Sequence, residues 1–259
     1  MCREGNCMIF NKGKYRKFLL LFVGWLNAPL AFSNPNFLSN LPSSLKHGHA
    51  IIQLGGYWSI QGQAQHINLQ DLVGDEFTIT NHKGSNGLVG WGYFVDGQEK
   101  ERFNMVYGIN AFYLAKTAVT GNVIQENLFT NLSYQYNVTH YPVYAVAKAI
   151  IKAKSAKHAL TLDVGIGPNF MRTSGFNESP LDGITIPDNI FSSRTTTTFT
   201  ATIGAGFRFN QVFGELPLEC GYRLFYLGQG HFNKQTSQVV NTLNTGPNYA
   251  NAVMCSITI

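Results

Sequence analysis

The feature that most constrains this chain is a repeated alternation of apolar residues with small or polar ones. The alternation occupies eight segments of nine to fifteen residues, and turn-forming residues separate them. A period of two residues is typical of β-strands whose two faces differ, and we find no long stretch with helical periodicity. The predicted strands are 50–60, 86–95, 102–113, 143–151, 158–168, 195–209, 216–227 and 249–259.

The connections between these segments alternate between long and short. An even number of antiparallel strands with short turns at one end is typical of outer-membrane barrels. In lipid every backbone N–H and C=O group must be paired within the protein, and a closed sheet achieves this. The sequence therefore predicts an all-β fold, an eight-stranded antiparallel transmembrane β-barrel over residues 48–259. The short periplasmic turns would be 96–101, 152–157 and 210–215, and the long external loops 61–86, 114–140, 169–195 and 228–247.

The N-terminal residues have the three parts of a secretory signal peptide. Four closely spaced basic residues at positions 12, 14, 16 and 17 flank the apolar run 18–26, and Ala31 and Ser33 supply the small residues of a cleavage site. The apolar run is too short to span a bilayer. We therefore expect residues 1–33 to be removed and residues 34–47 to form a periplasmic N-terminal segment.

Charge and cysteine content exclude several classes of function. The chain has a formal net charge of +5, but most of it lies in the predicted signal peptide, so the exported chain is close to neutral. A neutral chain gives no electrostatic support for binding nucleic acid. Only Cys220 and Cys255 follow the signal peptide, which excludes a disulfide-rich scaffold and a multi-cysteine metal site. We expect no cofactor.

The seven histidines are scattered, without an H-E-x-x-H pair or another closely spaced ligand set. The sequence therefore predicts neither a catalytic site nor a metal site. One alternative is a lipid A-modifying enzyme of the same fold, in which His140 would meet a serine and an acidic residue near the external rim. Another alternative is an exported soluble β-sandwich that binds a ligand.

The segment LPLECGYRLF, residues 216–225, shows what the polar faces of the strands carry. Its apolar side suits lipid, and its polar side then points a glutamate and an arginine into a narrow lumen. An isolated buried charge is very costly. We therefore expect the lumen charges to pair and to leave the lumen largely occluded. The predicted ion-pair network consists of Lys148, Asp163, Arg208, Glu219 and Arg223.

The register of two hairpins decides which of these charges meet. When the ends of turn 210–215 are paired, Arg223 faces Thr202, and Arg208 is a diagonal neighbour of Glu219. Across turn 152–157 the two remaining network residues, a lysine and an aspartate, approach each other diagonally.

The last two predicted strands can bring the two remaining cysteines together. If Leu216 pairs with Ile259, then Cys220 lies directly opposite Cys255. The Cβ atoms of facing residues are close enough for a disulfide, and an exported protein meets an oxidising compartment. The alternative is a pair of free, lipid-facing cysteines, because a register shift of two residues separates them.

Aromatic residues near the strand ends are expected to form two girdles at the membrane interfaces. The predicted girdle residues are Trp58, Trp91, Tyr93, Tyr113, Tyr141 and Phe209.

The strand pattern, the stretch LGGYWS at 54–59 and the closing strand at 249–259 resemble the small outer-membrane β-barrels. This group includes the OmpA membrane domain, OmpX and the opacity-type surface proteins, and the resemblance covers residues 48–259. It implies a structural or adhesin-like surface role in the bacterial outer membrane, with a charged plug in the lumen. The implied partners are outer-membrane lipid and lipopolysaccharide, the barrel-assembly machinery, and a host or envelope surface ligand bound by the external loops.

Overall fold

A computed structural model of the chain describes residues 48–153, 157–214 and 216–259. The expected signal peptide and the segment 34–47 lie outside the described residues. Within the described ranges there is no helix of the length and hydropathy that crossing a bilayer requires. The strands are β1 (Gly48–Ile60), β2 (Gln65–Ile67), β3 (Asp75–Phe77), β4 (Lys83–Glu99), β5 (Phe103–Gln125), β6 (Phe129–Lys152), β7 (His158–Pro180), β8 (Phe191–Ser192), β9 (Arg194–Phe213), β10 (Leu216–Gly228), β11 (Asn233–Lys234) and β12 (Asn248–Thr258).

Eight long strands of the described chain close into one antiparallel barrel, in the order β1, β4, β5, β6, β7, β9, β10 and β12. Pairing between β1 and β12 closes the ring, so that Leu54 faces Val89 on one side and Cys255 on the other. Closure removes the open edges that lipid cannot satisfy. The predicted eight-stranded antiparallel barrel is confirmed, and the two-sheet sandwich alternative is wrong.

The outer wall of the barrel is apolar, and polar residues point into the lumen. On β1 the side chain of Leu54 is 56% exposed whereas that of Gln53 is 2% exposed. The same inversion recurs around the ring, as expected of a barrel surrounded by lipid. The exposed apolar wall includes Ile52, Leu54, Val89, Ile109, Leu160, Leu162, Val164, Ile166, Ile203, Leu224 and Val253.

Aromatic side chains form a belt around the barrel near the end opposite the short turns. Tyr141 faces Phe170 in the pairing of β6 with β7, and the rings of Tyr113 and Tyr141 lie 5.4 Å apart. Following the registers around the tilted strands places seven aromatic residues at this height. This upper belt consists of Trp58, Tyr113, Tyr141, Phe170, Phe199, Tyr226 and Tyr249. Of the other predicted girdle residues, Tyr93 and Phe209 lie toward the opposite end, and Trp91 lies in the wall above them.

The strands continue beyond the upper belt and form a second core, which we call the cap. β5 and β6 have 23 and 24 residues, about twice the 9–11 that cross a bilayer. β3 pairs with the outer part of β5, and β2 pairs with β3. The buried residues of the cap core are Ile67, Phe77, Val119, Val123, Leu132, Tyr134, Tyr136, Val138, Met171, Phe191, Phe232, Val239 and Leu243.

Two of the expected external loops are largely strands. β5 and β6 fill 114–140 except for a turn at 126–128, and β7 occupies the first twelve residues of 169–195. The physical reason is that one face of these extensions stays apolar and is buried in the cap, as Val119 and Tyr136 are.

The register between β9 and β10 differs by two residues from the prediction. Arg223 faces Gly204 rather than Thr202, and Arg208 faces Glu219 directly rather than diagonally. The difference arises because β9 continues further toward the turn than predicted and because the pairing contains a bulge just after the turn.

Candidate functional site

Two ion pairs cross the lumen, and one residue of each pair lies on β10. The Nζ atom of Lys148 lies 2.8 and 3.0 Å from the carboxylate oxygens of Glu219, which also accepts a hydrogen bond from Thr161. The Nη2 atom of Arg223 lies 2.7 and 2.8 Å from the two carboxylate oxygens of Asp163. Lys148, Asp163 and Arg223 are only 6%, 4% and 5% exposed. Each of these buried charges is therefore held by an opposite charge.

The ion-pair partners of these residues differ from those expected from the pairing of adjacent strands. Lys148 and Asp163 face each other directly across β6 and β7, yet each forms its ion pair with a residue of β10. Arg208 faces Glu219 in register, but its Nε atom donates to Asn210 at 3.2 Å. Four of the five predicted network residues thus form ion pairs, and Arg208 lies at the edge of the network.

Aromatic side chains fill the lumen beyond the ion pairs. Phe112, Tyr144 and Phe225 are at most 4% exposed, and their ring centroids lie 5.3–6.1 Å apart. The guanidinium of Arg223 lies 5.4 Å from the Phe112 centroid and 6.0 Å from that of Phe225, within cation–π range. This aromatic plug was not predicted from the sequence. Its signal was the presence of large rings at inward positions of otherwise polar faces.

The free space in the lumen narrows sharply at the ion pairs. A vestibule of about 520 Å³ opens toward the short turns and is lined in part by Lys148, Arg208 and Glu219. A separate, small cavity beside Asp163 and Arg223 has a volume of about 20 Å³, which is room for about one water molecule. The geometry is therefore that of a vestibule that ends at a plug.

His140, the residue considered for an enzymatic role, lies inside the upper lumen. It is fully buried, and its Nδ1 atom lies 3.1 Å from Nδ2 of Asn169, which also donates to the carbonyl of Leu227. His140 therefore does not reach the external rim. In the part of the chain that the structure describes, no group of three or more His, Cys, Asp or Glu side chains could hold a metal ion.

Cys220 and Cys255 face each other in the predicted register of β10 and β12 and are joined by a disulfide. Both residues follow the lipid-facing alternation of their strands. The bond links positions 35 residues apart in sequence, and it connects the closing strand β12 to its neighbour.

Two carboxyl groups are buried in the cap. Asp75 accepts a hydrogen bond from the backbone N–H of Glu126 at 3.2 Å, and Glu178 accepts one from that of Asn189 at 2.8 Å. The side chains of Asp75 and Glu178 are 8% and 5% exposed. Burial is the largest influence on both groups and raises the pKa of each carboxyl above its ordinary value.

We expect the cap to be more stable at mildly acidic pH than at neutral pH. Because the pKa values of Asp75 and Glu178 are raised in the folded cap, their stabilising contribution is complete below the unfolded pKa of about 4 and is lost as pH rises through the folded pKa. Hydrogen exchange of the outer halves of β5 and β6, corrected for the intrinsic rate, measures this. The variant D75N/E178Q should remove most of the pH dependence, and an unchanged dependence in that variant would contradict the assignment.

Three hairpin tips meet at the far end of the cap. The backbone N–H of Val73 donates to the Glu126 carboxylate at 3.0 Å. The side-chain amide of Asn131 donates to Thr185 at 3.1 Å, and its backbone carbonyl accepts from Leu181 at 2.8 Å. Large apolar side chains on these tips are each more than half exposed. We call them the tip patch: Leu72, Val73, Leu128, Phe129, Leu181, Ile184 and Ile186.

The chain matches no family model and no curated protein. Among solved structures it is similar to Neisserial surface protein A, with 9% identity over 81% of this chain and 96% of that chain and a TM-score of 0.39. It is also similar to OprG from Pseudomonas aeruginosa, with 10% identity over 82% and 96% of the two chains and a TM-score of 0.44. It is also similar to the outer membrane protease OmpT from Escherichia coli, with 7% identity over 85% of this chain and 99% of that chain and a TM-score of 0.43. The small outer-membrane β-barrels among these neighbours are the class that the sequence resembles.

Proposed function

We propose that this chain is a bacterial outer-membrane surface protein that binds a protein partner through the tip patch and does not conduct solutes. The observation that carries the proposal is the exposure of the patch itself. Ile184 and Ile186 are 85% and 82% exposed, and Leu128 and Phe129 are 74% and 65% exposed. The largest apolar patch of an ordinary monomer covers about 300–600 Å² and is often functional.

The cap presents this patch away from the membrane. β5 and β6 continue about twelve residues past the length that crosses a bilayer, and the cap core packs against their extensions. A packed cap also fixes the three tips relative to one another, so a partner meets a surface that is already ordered. Preorganised surfaces lose less conformational entropy on binding.

The charge around the patch indicates the chemistry of the partner. The three tip segments 70–76, 125–131 and 180–189 contain neither Lys nor Arg, and five of their six acidic residues are not buried, Asp75 being the exception. An apolar centre with an acidic rim is complementary to an apolar protein surface with a basic rim. We therefore propose a basic partner protein on the outside of the cell.

Attachment assays test the proposed role. A laboratory strain that expresses the unmodified chain should attach to epithelial monolayers and to immobilised basic matrix proteins several-fold more than the strain with an empty vector. The variant F129D/I184D/I186D should return attachment to the vector level. V240D is the matched control, because Val240 is also exposed (59%) but lies outside the tip patch. Equal attachment by the triple variant and the unmodified chain, or no attachment by either, would contradict the proposal.

The proposed orientation predicts which tags are accessible on intact cells. Asn177, within the expected external loop 169–195, lies in β7 and pairs with Gln135, so a tag there would disturb the sheet. Gly183 has open space around its Cα, and a tag placed there should be labelled on intact cells. A tag at Lys100, in the short turn between β4 and β5, should be labelled only after permeabilisation. The reverse pattern would contradict the orientation.

A further inference from the structure

Arg208 differs from the other residues of the lumen network because it has no ion pair within the described part of the chain. The other four form two ion pairs with one another. Arg208 is half-buried, and its Nε atom donates to Asn210. Its two Nη atoms have no hydrogen-bond partner among the residues that the structure describes. A cation that is partly removed from water and lacks a counter-ion is stabilised by an added anion.

Two free hydroxyl groups lie beside this guanidinium in the vestibule. Glu219 of β10 faces Arg208 on one side and Ser256 of β12 on the other, so Arg208 and Ser256 are level with each other. Thr258 is the next inward position of β12, and all three side chains line the vestibule. Neither hydroxyl forms a side-chain hydrogen bond in the described ranges. A hydroxyl can donate to an anion that the guanidinium holds.

The inner part of the vestibule has one uncompensated positive charge. Lys148 and Glu219 neutralise each other there. The remaining ionisable side chains of the lining are exposed at the mouth: His49, Asp96, Glu101, Lys152 and His158. The charge of Arg208 therefore matches a monoanion, whereas a dianion would bring a second, unpaired negative charge close to Glu219.

The rest of the inner lining is apolar. It consists of Ile51, Phe94, Val106, Ile150 and Ala159. The cavity has a volume of about 520 Å³, and pockets for small organic ligands have volumes of about 300–1,000 Å³. The vestibule is thus large enough for a small organic molecule with an apolar body.

We propose that the vestibule binds a small organic monocarboxylate through Arg208, Ser256 and Thr258. The two Nη atoms of a guanidinium match the two oxygens of a carboxylate. The apolar body of the ligand would lie against side chains such as Phe94. A free small acid and the C-terminus of a polypeptide share this chemistry. The inference is independent of what the tip patch binds, and its failure would leave the proposed function unaffected.

Isothermal titration of the refolded full-length chain in zwitterionic detergent micelles tests the site. The probes are N-acetyl-leucine and its neutral analogue N-acetyl-leucinamide, which has the same apolar body. We expect the acid to bind at least roughly tenfold more tightly, because hydrogen bonds to charged groups contribute more than those between neutral groups. R208Q should remove most of this preference. R208K should retain part of it, since lysine keeps the charge but not the planar fork.

A second variant tests the location of the site without changing a charge. Ala159 of β7 faces Arg208 in register, is buried and lines the vestibule. The large ring introduced by A159W should fill the vestibule and abolish binding of the acid. Unchanged affinity of A159W would place the acid elsewhere and overturn the proposal.

The matched control is R172Q, because Arg172 is an exposed arginine of β7 at the other end of the barrel. It should leave the affinity unchanged, and heat-modifiable gel migration shows that each variant has folded. Equal binding of the acid and the amide to the unmodified chain would overturn the proposal, even if no variant folds. Unchanged affinity of R208Q would also overturn it, as would equally tight binding of inorganic phosphate or acetate, which would indicate a site for any small anion.

An acetylated hexapeptide that ends in leucine distinguishes the two sources of the carboxylate. Binding at least as tight as that of N-acetyl-leucine would assign the site to the C-terminus of a polypeptide. Weaker binding of the hexapeptide would assign it to free small acids.

Discussion

Replacing Arg223 with methionine is expected to destabilise the barrel by about 3–5 kcal/mol, because a buried ion pair loses one partner. The substitution leaves Asp163, which is 4% exposed, without its ion-pair partner in a part of the lumen with almost no free space. It also removes the cation that lies over the Phe112 and Phe225 rings. Urea unfolding of the refolded protein, followed by heat-modifiable gel migration, measures the loss.

The double variant D163N/R223M separates the ion pair from general packing. Because it removes both charges, it should be considerably more stable than the sum of the two single substitutions implies. K152M is the matched control, since Lys152 pairs with Glu99 at 2.8 Å but the two side chains are 41% and 72% exposed. Its effect should be small beside that of R223M, because exposed ion pairs contribute little to stability. Strictly additive effects of D163N and R223M would contradict the assigned pair.

Reducing the disulfide between Cys220 and Cys255 is expected to lower the free energy of unfolding by about 3–4 kcal/mol, as the loop-closure model gives for a loop of this length. The effect should be greatest on the closing strand, because β12 pairs with both β1 and β10. The measurement compares urea unfolding of the oxidised protein with that of the C220S/C255S variant.

Thiol labelling gives an independent check on the disulfide. The unreduced protein, freed of its signal peptide and denatured, should show no reactive thiol, and two should appear after reduction. Two labelled thiols before reduction would contradict the bond. Equal stability of the oxidised protein and the double variant would contradict its contribution to the barrel.

Alternation along each strand was sufficient to predict that the outer face of the barrel is apolar and that its lumen face is polar. The contrast between Gln53 and Leu54 is readable from sequence because lipid outside and a narrow lumen inside demand opposite faces. The pairing of Cys220 with Cys255 followed from aligning the ends of two strands. Aligning strand ends gave the wrong partner for Arg223, because a bulge near the turn shifts the register of β9 and β10.

The partners of the lumen charges depend on the whole barrel rather than on local spacing. Lys148 reaches Glu219 across the lumen although Asp163 faces it on the adjacent strand. Which side chains meet across a lumen depends on strand tilt and stagger, and neither is encoded in one hairpin. The cap was harder to predict for a different reason. Its strands β2 and β3 have three residues each, which is too short to show an alternating pattern in the sequence.

We propose that ion pairs and an aromatic plug close the lumen of this membrane barrel. Single-channel recording of the refolded, unmodified protein in planar bilayers tests it most directly, with heat-modifiable migration of the same preparation as evidence of folding. We expect no steady conductance, because the Lys148–Glu219 and Asp163–Arg223 ion pairs and the buried rings of Phe112, Tyr144 and Phe225 occupy the lumen. A large, steady single-channel conductance from the folded protein would contradict the plug.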